Sequence, residues 1–179
     1  MQNTKAKKIV MTAIIAALYA ALTYAQNFLI PGSASAAIQF RVSEVMNVLA
    51  LFTPYAIPGL TIGCVISNIY GFAMGMPLDM LFGSLATLGA TACMYALRNA
   101  KIKGYPFLAM LMPAIWNGIL VGAEIMLFVD NKFVGFGGFK MAEFLSIGGS
   151  VALGELGVML VLGTLLYYAF VKRGLDKKL

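Results

Sequence analysis

The sequence contains no histidine. That excludes Ser-His and Cys-His nucleophilic catalysis, the HExxH zinc motif and any His-ligated metal. The two cysteines, Cys64 and Cys93, stand alone inside apolar stretches. They lack the spacing of a CxxC redox motif or a metal cluster, and they are too few for a secreted disulfide scaffold. Both read as small buried hydrophobes. No GxxxxGK[ST] segment occurs, so the chain does not itself cradle ATP phosphates. Charge is also scarce: 11% of the 179 residues are Asp, Glu, Lys or Arg, against about 25% in soluble domains. A water-soluble globule or a disordered chain needs far more.

What is present is apolar. The hydrophobic set makes up 61% of the chain and the mean hydropathy is +0.88. A helix crossing ~30 Å of hydrocarbon needs ~20 residues, so a chain of 179 residues with short loops holds about six crossings. Lipid offers the backbone no hydrogen-bond partners, which leaves helices or closed barrels, and apolar runs this long exclude a barrel. The expected fold is an all-α integral membrane protein, a six-transmembrane-helix bundle forming a single domain over residues 1–179.

The predicted spans are Ile9–Ile30, Val42–Ile57, Gly59–Met76, Leu78–Leu97, Phe107–Val129 and Phe144–Val171. The second is short and carries Glu44, so it is not expected to cross as a simple lipid-facing rod. Thr53–Pro58 separates spans two and three. Met76-Pro77 separates three and four, with Pro77 at a helix start and Asp79 in the first turn. The loops are small and flexible at 31–37 (PGSASAA), basic at Arg98–Tyr105 and Gly-rich at Asp130–Glu143. Lys5, Lys7 and Lys8 before span one, with Thr23-Tyr24-Ala25 near its end, resemble a signal peptide. The apolar stretch is longer than a usual signal core, and the topology works better with the span retained.

The net charge of +6 belongs to membrane orientation rather than to nucleic acid. With six spans both termini share a side. That side carries Lys5, Lys7, Lys8, Arg98, Lys101, Lys103, Lys172, Arg173, Lys177 and Lys178; the other has only Arg41, Lys132 and Lys140. Ten against three puts both termini in the cytoplasm of a multi-pass plasma-membrane protein. Glu44, Asp79, Glu124, Asp130, Glu143 and Glu155 then fall toward the external side, and only Asp176 is internal. This asymmetry suggests an outward-facing polar pocket suited to a cationic or donor-rich ligand.

Glu155 is the leading candidate within it. It lies about ten residues into the last span between Gly154 and Gly157, and a carboxylate at that depth is a functional candidate by default. A buried acid paired to a neighbouring donor is the other reading. Asn117 and Glu124 are seven apart on one face of span five, with Trp116 adjacent. A carboxylate, an amide and an aromatic ring would suit a nucleobase-like ligand. Helix packing or an interfacial anchor would equally explain Trp116, and an interhelical hydrogen bond Asn117. Arg41 and Glu44 are three apart, with Gln39 just before them. They are either a local ion pair or a gate and ligand contact. Asn68 reads as a helix-packing contact.

Two stripes of small residues run at spacing four. Gly59, Gly63, Ser67, Gly71 and Gly75 in span three permit close packing inside the bundle. Ala13, Ala17, Ala21 and Ala25 in span one, with Ala16 and Ala20 beside them, form a smooth surface that packs internally or against another membrane protein.

FRVSEVMNVL (40–49), PLDMLFGSLATLGA (77–90), WNGILVGAEIM (116–126) and GELGVMLVLGTLLYYAF (154–170) resemble the QueT family of queuosine-precursor transporters. FRVSE and FGSLAT are the specific parts, and the similarity runs from span one to span six. The resemblance implies an S component of an energy-coupling factor (ECF) transporter: six helices that bind a micronutrient at the external side and topple in the membrane. It implies assembly with a transmembrane coupling subunit and two cytosolic ATPases, which fits the missing Walker motif, and no cofactor. It implies that an alanine stripe on the first helix docks on the coupling subunit, here Ala13, Ala17 and Ala21 with Ala16 and Ala20. The implied substrates are 7-deazaguanines, especially 7-aminomethyl-7-deazaguanine. On residue chemistry, Glu155 and Glu124 would take its N–H edge and its cationic aminomethyl group in either order. Asn117 or Gln39 would meet the carbonyl edge and Trp116 would stack. The other readings are an S component for a flavin or thiamine-like vitamin, a structural membrane protein in which the buried acids merely pair, and an intramembrane enzyme restricted to carboxylate chemistry.

Overall fold

In a computed structural model the protein is helical almost throughout; the structure describes residues 2–31, 41–73, 78–129, 132–133 and 140–174. The helices are α1 (Gln2–Leu29), a 3-10 helix (Val42–Leu51), α2 (Ala56–Ala73), α3 (Asp79–Leu97), α4 (Phe107–Met110), α5 (Met112–Leu127), α6 (Met141–Gly157) and α7 (Thr164–Lys172). A π-helical segment, Val158–Gly163, joins α6 to α7. Phe128–Val129 and Lys132–Phe133 pair as a short antiparallel ribbon. Among the described residues, four helical stretches are long and apolar enough to cross a membrane: Lys5–Leu29, Asp79–Leu97, Phe107–Leu127 and Met141–Lys172. Val42–Leu51 and Ala56–Ile69 are shorter apolar helices.

These elements fall on the predicted spans, with three differences. The second span, expected over Val42–Ile57 and not as a simple rod, is a ten-residue 3-10 helix that ends at Leu51. Span five breaks at Leu111 because Pro113 sits in the first turn of α5, where its missing N–H ends the preceding helix. Span six is continuous but carries a π segment that starts three residues after Glu155. Gly75, Met76, Pro77, Asp130 and the GFGGF segment lie outside the described residues, as does most of the 31–37 loop.

Packing runs α1–α2–α3–α5–α6 in chain order, and the 3-10 helix is inserted among α1, α2, α3 and the π segment. The outer surface is apolar: Ile9, Phe28, Leu29, Leu153 and Leu165 are all exposed. An apolar surface on this scale suits lipid, not water. The small-residue stripe of α2 packs internally at its first two members. A Cβ on Gly63 would come within 2.8 Å of Tyr19 Cβ, and one on Gly59 within 2.9 Å of the Thr12 carbonyl oxygen. The alanines of α1 divide. Ala16 and Ala20 are buried, whereas Ala13, Ala17, Ala21 and Ala25 lie on the exposed face.

The interior has two halves. Met46, Val48, Leu60, Met94, Met110, Met159 and Tyr167 form an apolar cluster where α2 starts and α3 ends. The opposite ends of those helices carry buried polar groups instead, and there the chemistry lies.

Candidate functional site

The 3-10 helix supplies the centre of the polar half. Arg41 precedes it, and Ser43, Glu44 and Asn47 are buried along it. Arg41 does not pair with Glu44, the local partner that their spacing offers. Its guanidinium donates to the Asp79 carboxylate at 2.6 Å, a buried ion pair joining the 3-10 helix to the first turn of α3. Glu44 accepts instead from the Tyr19 hydroxyl of α1 and from the Asn47 amide. Thr23, one turn beyond Tyr19, donates to Ser43 at 2.7 Å. Asn68 of α2 donates to the Asp79 carbonyl at 3.0 Å. Gly83 leaves this corner open: a Cβ there would stand 3.2 Å from both Asn68 Nδ2 and Asp79 Oδ1.

Glu124 and Asn117 are both buried on α5, as their seven-residue spacing requires. Glu124 lies within electrostatic reach of Asp79 and Arg41. Glu155 is completely buried on α6, within reach of Glu44 and Arg41. The fold therefore buries four carboxyl groups, from four separate elements, within electrostatic reach of one guanidinium, and Asp79 contacts it directly. Among the described residues neither oxygen of Glu155 has a hydrogen-bond partner, and Glu124 Oε2, Asn117 Nδ2, Asn47 Oδ1 and Asp79 Oδ1 are likewise unpartnered. Buried polar atoms in native proteins are nearly always satisfied, so such a concentration asks for a guest. The groups left open are mainly acceptors with one amide donor, complementary to a donor-rich ligand.

The other sequence candidates fall in different places. Trp116 lies against α3, where a Cβ on Gly89 would meet its indole ring at 2.6 Å. Gln39 lies outside the described residues. Glu143 is exposed and pairs with Lys140 at 2.7 Å, away from the cluster. Cys64 is buried beside Arg41 and Asn68 as a small interior group. Sequence reasoning passed over Tyr19, Asn47 and Asp79 as site residues. Asp79 stood out as an acid at a helix start. Tyr19 and Thr23, four apart in an alanine-rich helix, were the available sign of a polar face on α1.

Comparison with known proteins decides the family. The QueT transporter family matches residues 9–172. The chain belongs to the QueT transporter family. It is 33% identical over 175 residues to the queuosine precursor transporter QueT of Lactococcus lactis subsp. cremoris (strain MG1363), covering 90% of each chain. No solved structure matches it. All four segments that carry the resemblance lie within the matched region, and together they contribute Arg41, Glu44, Asp79, Asn117, Glu124 and Glu155 to the polar interior. In this QueT family member the carboxyls of Glu44, Asp79, Glu124 and Glu155 thus lie inside the helical bundle rather than on its lipid-facing surface.

Proposed function

We propose that the protein imports a queuosine precursor, as the substrate-binding S component of an ECF-type transporter. One observation carries the reading: Glu155 is fully buried and both of its carboxylate oxygens lack a partner. A 7-deazaguanine such as 7-aminomethyl-7-deazaguanine offers what this site wants. Its guanine-like edge presents adjacent N–H donors that one carboxylate can accept, and its cationic aminomethyl group pairs with a second. Glu155 and Glu124 take these two roles, and Asn117 Nδ2 donates to the carbonyl edge. Arg41, Glu44, Tyr19 and Asp79 hold the pocket's frame. The function attached to the Lactococcus relative supports this substrate class.

In this reading the protein is not an enzyme. Six spans place both termini in the cytoplasm of the plasma-membrane protein, following the distribution of Lys and Arg. Energy comes from two cytosolic ATPases through a transmembrane coupling subunit. The exposed Ala13, Ala17 and Ala21 face is where that subunit docks on α1. Uptake in cells should therefore stop when the partner ATPases are inactivated, while binding to the purified chain persists.

The deciding experiment is equilibrium binding of 7-aminomethyl-7-deazaguanine to the detergent-purified protein, with guanine, riboflavin and thiamine as controls. Tight, selective binding is the expected result. Selective binding of riboflavin or thiamine would keep the S component and replace its substrate. No binding to any of the four would refute the binding-subunit reading for the isolated chain.

A further inference from the structure

At the opposite end of the 3-10 helix from Arg41 lies a second polar site, unrelated to the carboxyl cluster. It is a cleft of about 310 Å³ between the 3-10 helix, the 98–106 loop and α7, bordered by Phe52, Arg98, Asn99, Lys101, Gly104 and Tyr167. That volume is at the lower end of the range for small-molecule sites.

The cleft is built, not incidental. The loop closes on itself through Ile102 and Tyr105, whose backbones exchange hydrogen bonds of 2.9 and 3.1 Å. Lys103 and Gly104 turn it with positive φ angles of 51° and 83°. Tyr167 donates to the Gly104 carbonyl at 3.3 Å, and the Tyr105 and Thr164 hydroxyls are 2.5 Å apart. These bonds fasten the loop to α7. Phe52 stacks on Tyr167 and on Phe170, which gives the cleft an aromatic wall. Aromatic side chains gather at the level of lipid headgroups.

Its charge is of one sign. Among the described residues Arg98 and Lys101 line it, no carboxylate does, and neither cation forms an ion pair. The Arg98 guanidinium lies 3.7 Å over the Tyr95 ring and donates to the Tyr95 carbonyl at 2.6 Å. Its charge is thereby oriented without being neutralised. We infer that this cleft binds the phosphate of an anionic phospholipid headgroup. The position at one end of the membrane-spanning helices, the aromatic wall and the unpaired cations together favour a phosphate presented by the bilayer over one arriving from water.

The test is native mass spectrometry of the delipidated full chain, titrated with equal amounts of phosphatidylglycerol and phosphatidylcholine. The protein should retain phosphatidylglycerol preferentially. Each interfacial cation contributes about fivefold to such binding. Lys101→Gln should thus lower retention about fivefold, and the double variant with Arg98→Gln should abolish the preference. Lys132→Gln should leave it unchanged. Arg98 also caps α3, so its variant can weaken folding; the Lys101 side chain is exposed and makes no ion pair among the described residues, so its variant remains decisive. Equal retention of the two lipids would overturn the inference, as would a preference that survives Lys101→Gln undiminished. Displacement of phosphatidylglycerol by millimolar inorganic phosphate would overturn the lipid assignment and leave a soluble phosphate site.

Discussion

Glu155 poses the sharpest question at the scale of the residue, because an unpartnered buried carboxylate weakens a fold unless a ligand uses it. Glu155→Gln keeps the shape and removes the charge. Hydrogen bonds to charged groups contribute about 1.5–3 kcal/mol, so the affinity for 7-aminomethyl-7-deazaguanine should fall roughly ten- to hundredfold. The melting temperature of the unliganded protein should hold or rise. Unchanged affinity would remove Glu155 from the site. Arg41 and Asp79 should respond oppositely. Breaking a buried pair on one side costs about 3–5 kcal/mol, so Arg41→Met or Asp79→Asn alone should lower thermal stability sharply. The double variant should recover much of that loss, and additive losses would mean that the pair does not matter. These residues also show where the sequence was legible. Glu155 could be found from depth alone, since a carboxylate mid-span is conspicuous. The partner of Arg41 could not, because helical spacing favours Glu44 three residues away, whereas the true partner is 38 residues distant and is fixed only by how α3 packs. Tyr19 was hidden because an aromatic in an apolar helix looks like packing until its hydroxyl is seen on Glu44.

The site depends, at the scale of the element, on how closely α5 and α6 approach, since they carry Asn117, Glu124 and Glu155. Glycines set that distance. A Cβ on Gly118 would stand 2.9 Å from the Gly148 carbonyl oxygen and 3.1 Å from Ala152 Cβ, and one on Gly122 would stand 2.9 Å from Gly148 Cα. Overpacking of this kind costs about 1–3 kcal/mol. Gly118→Ala should lower the melting temperature and weaken ligand binding together, because it moves Glu155 relative to Glu124. Gly149→Ala, whose added carbon meets nothing within 4 Å, is the matched control and should do neither. Equal effects from the two would show that the contact is not what holds these helices. Helix existence was readable from length and hydropathy, and the short, Glu44-bearing second span was marked as unusual. Its 3-10 winding was not readable, because insertion among four other elements, not local preference, decides it. The π segment after Glu155 left no mark in the sequence either. Its wider turn lies directly below the key carboxylate, and π segments often accompany functional sites.

The distribution of charge ties the site to the membrane at the scale of the whole molecule. The buried carboxyls of Glu44, Asp79, Glu124 and Glu155 occupy one half of the interior, and the cleft of Arg98 and Lys101 lies at the other end. Such polarity has a direction in a cell. Lys and Arg collect in cytoplasmic loops, so the proposed orientation turns the Arg98 end inward and the carboxyl half outward. After replacement of Cys64 and Cys93 by alanine, single cysteines can report this in intact cells treated with a membrane-impermeant maleimide. Lys132→Cys and Lys140→Cys, exposed near the carboxyl half, should label. Lys101→Cys and Arg173→Cys should label only after the membrane is opened. The reverse pattern would turn the molecule over, placing the carboxyl half toward the cytoplasm and contradicting uptake from an outward-facing pocket. Labelling of Lys132→Cys and Lys101→Cys from the same side would break the six-span arrangement itself, since the Phe107–Leu127 helix separates them. The measurement thus tests the span count and the direction of transport at once, independently of any ligand.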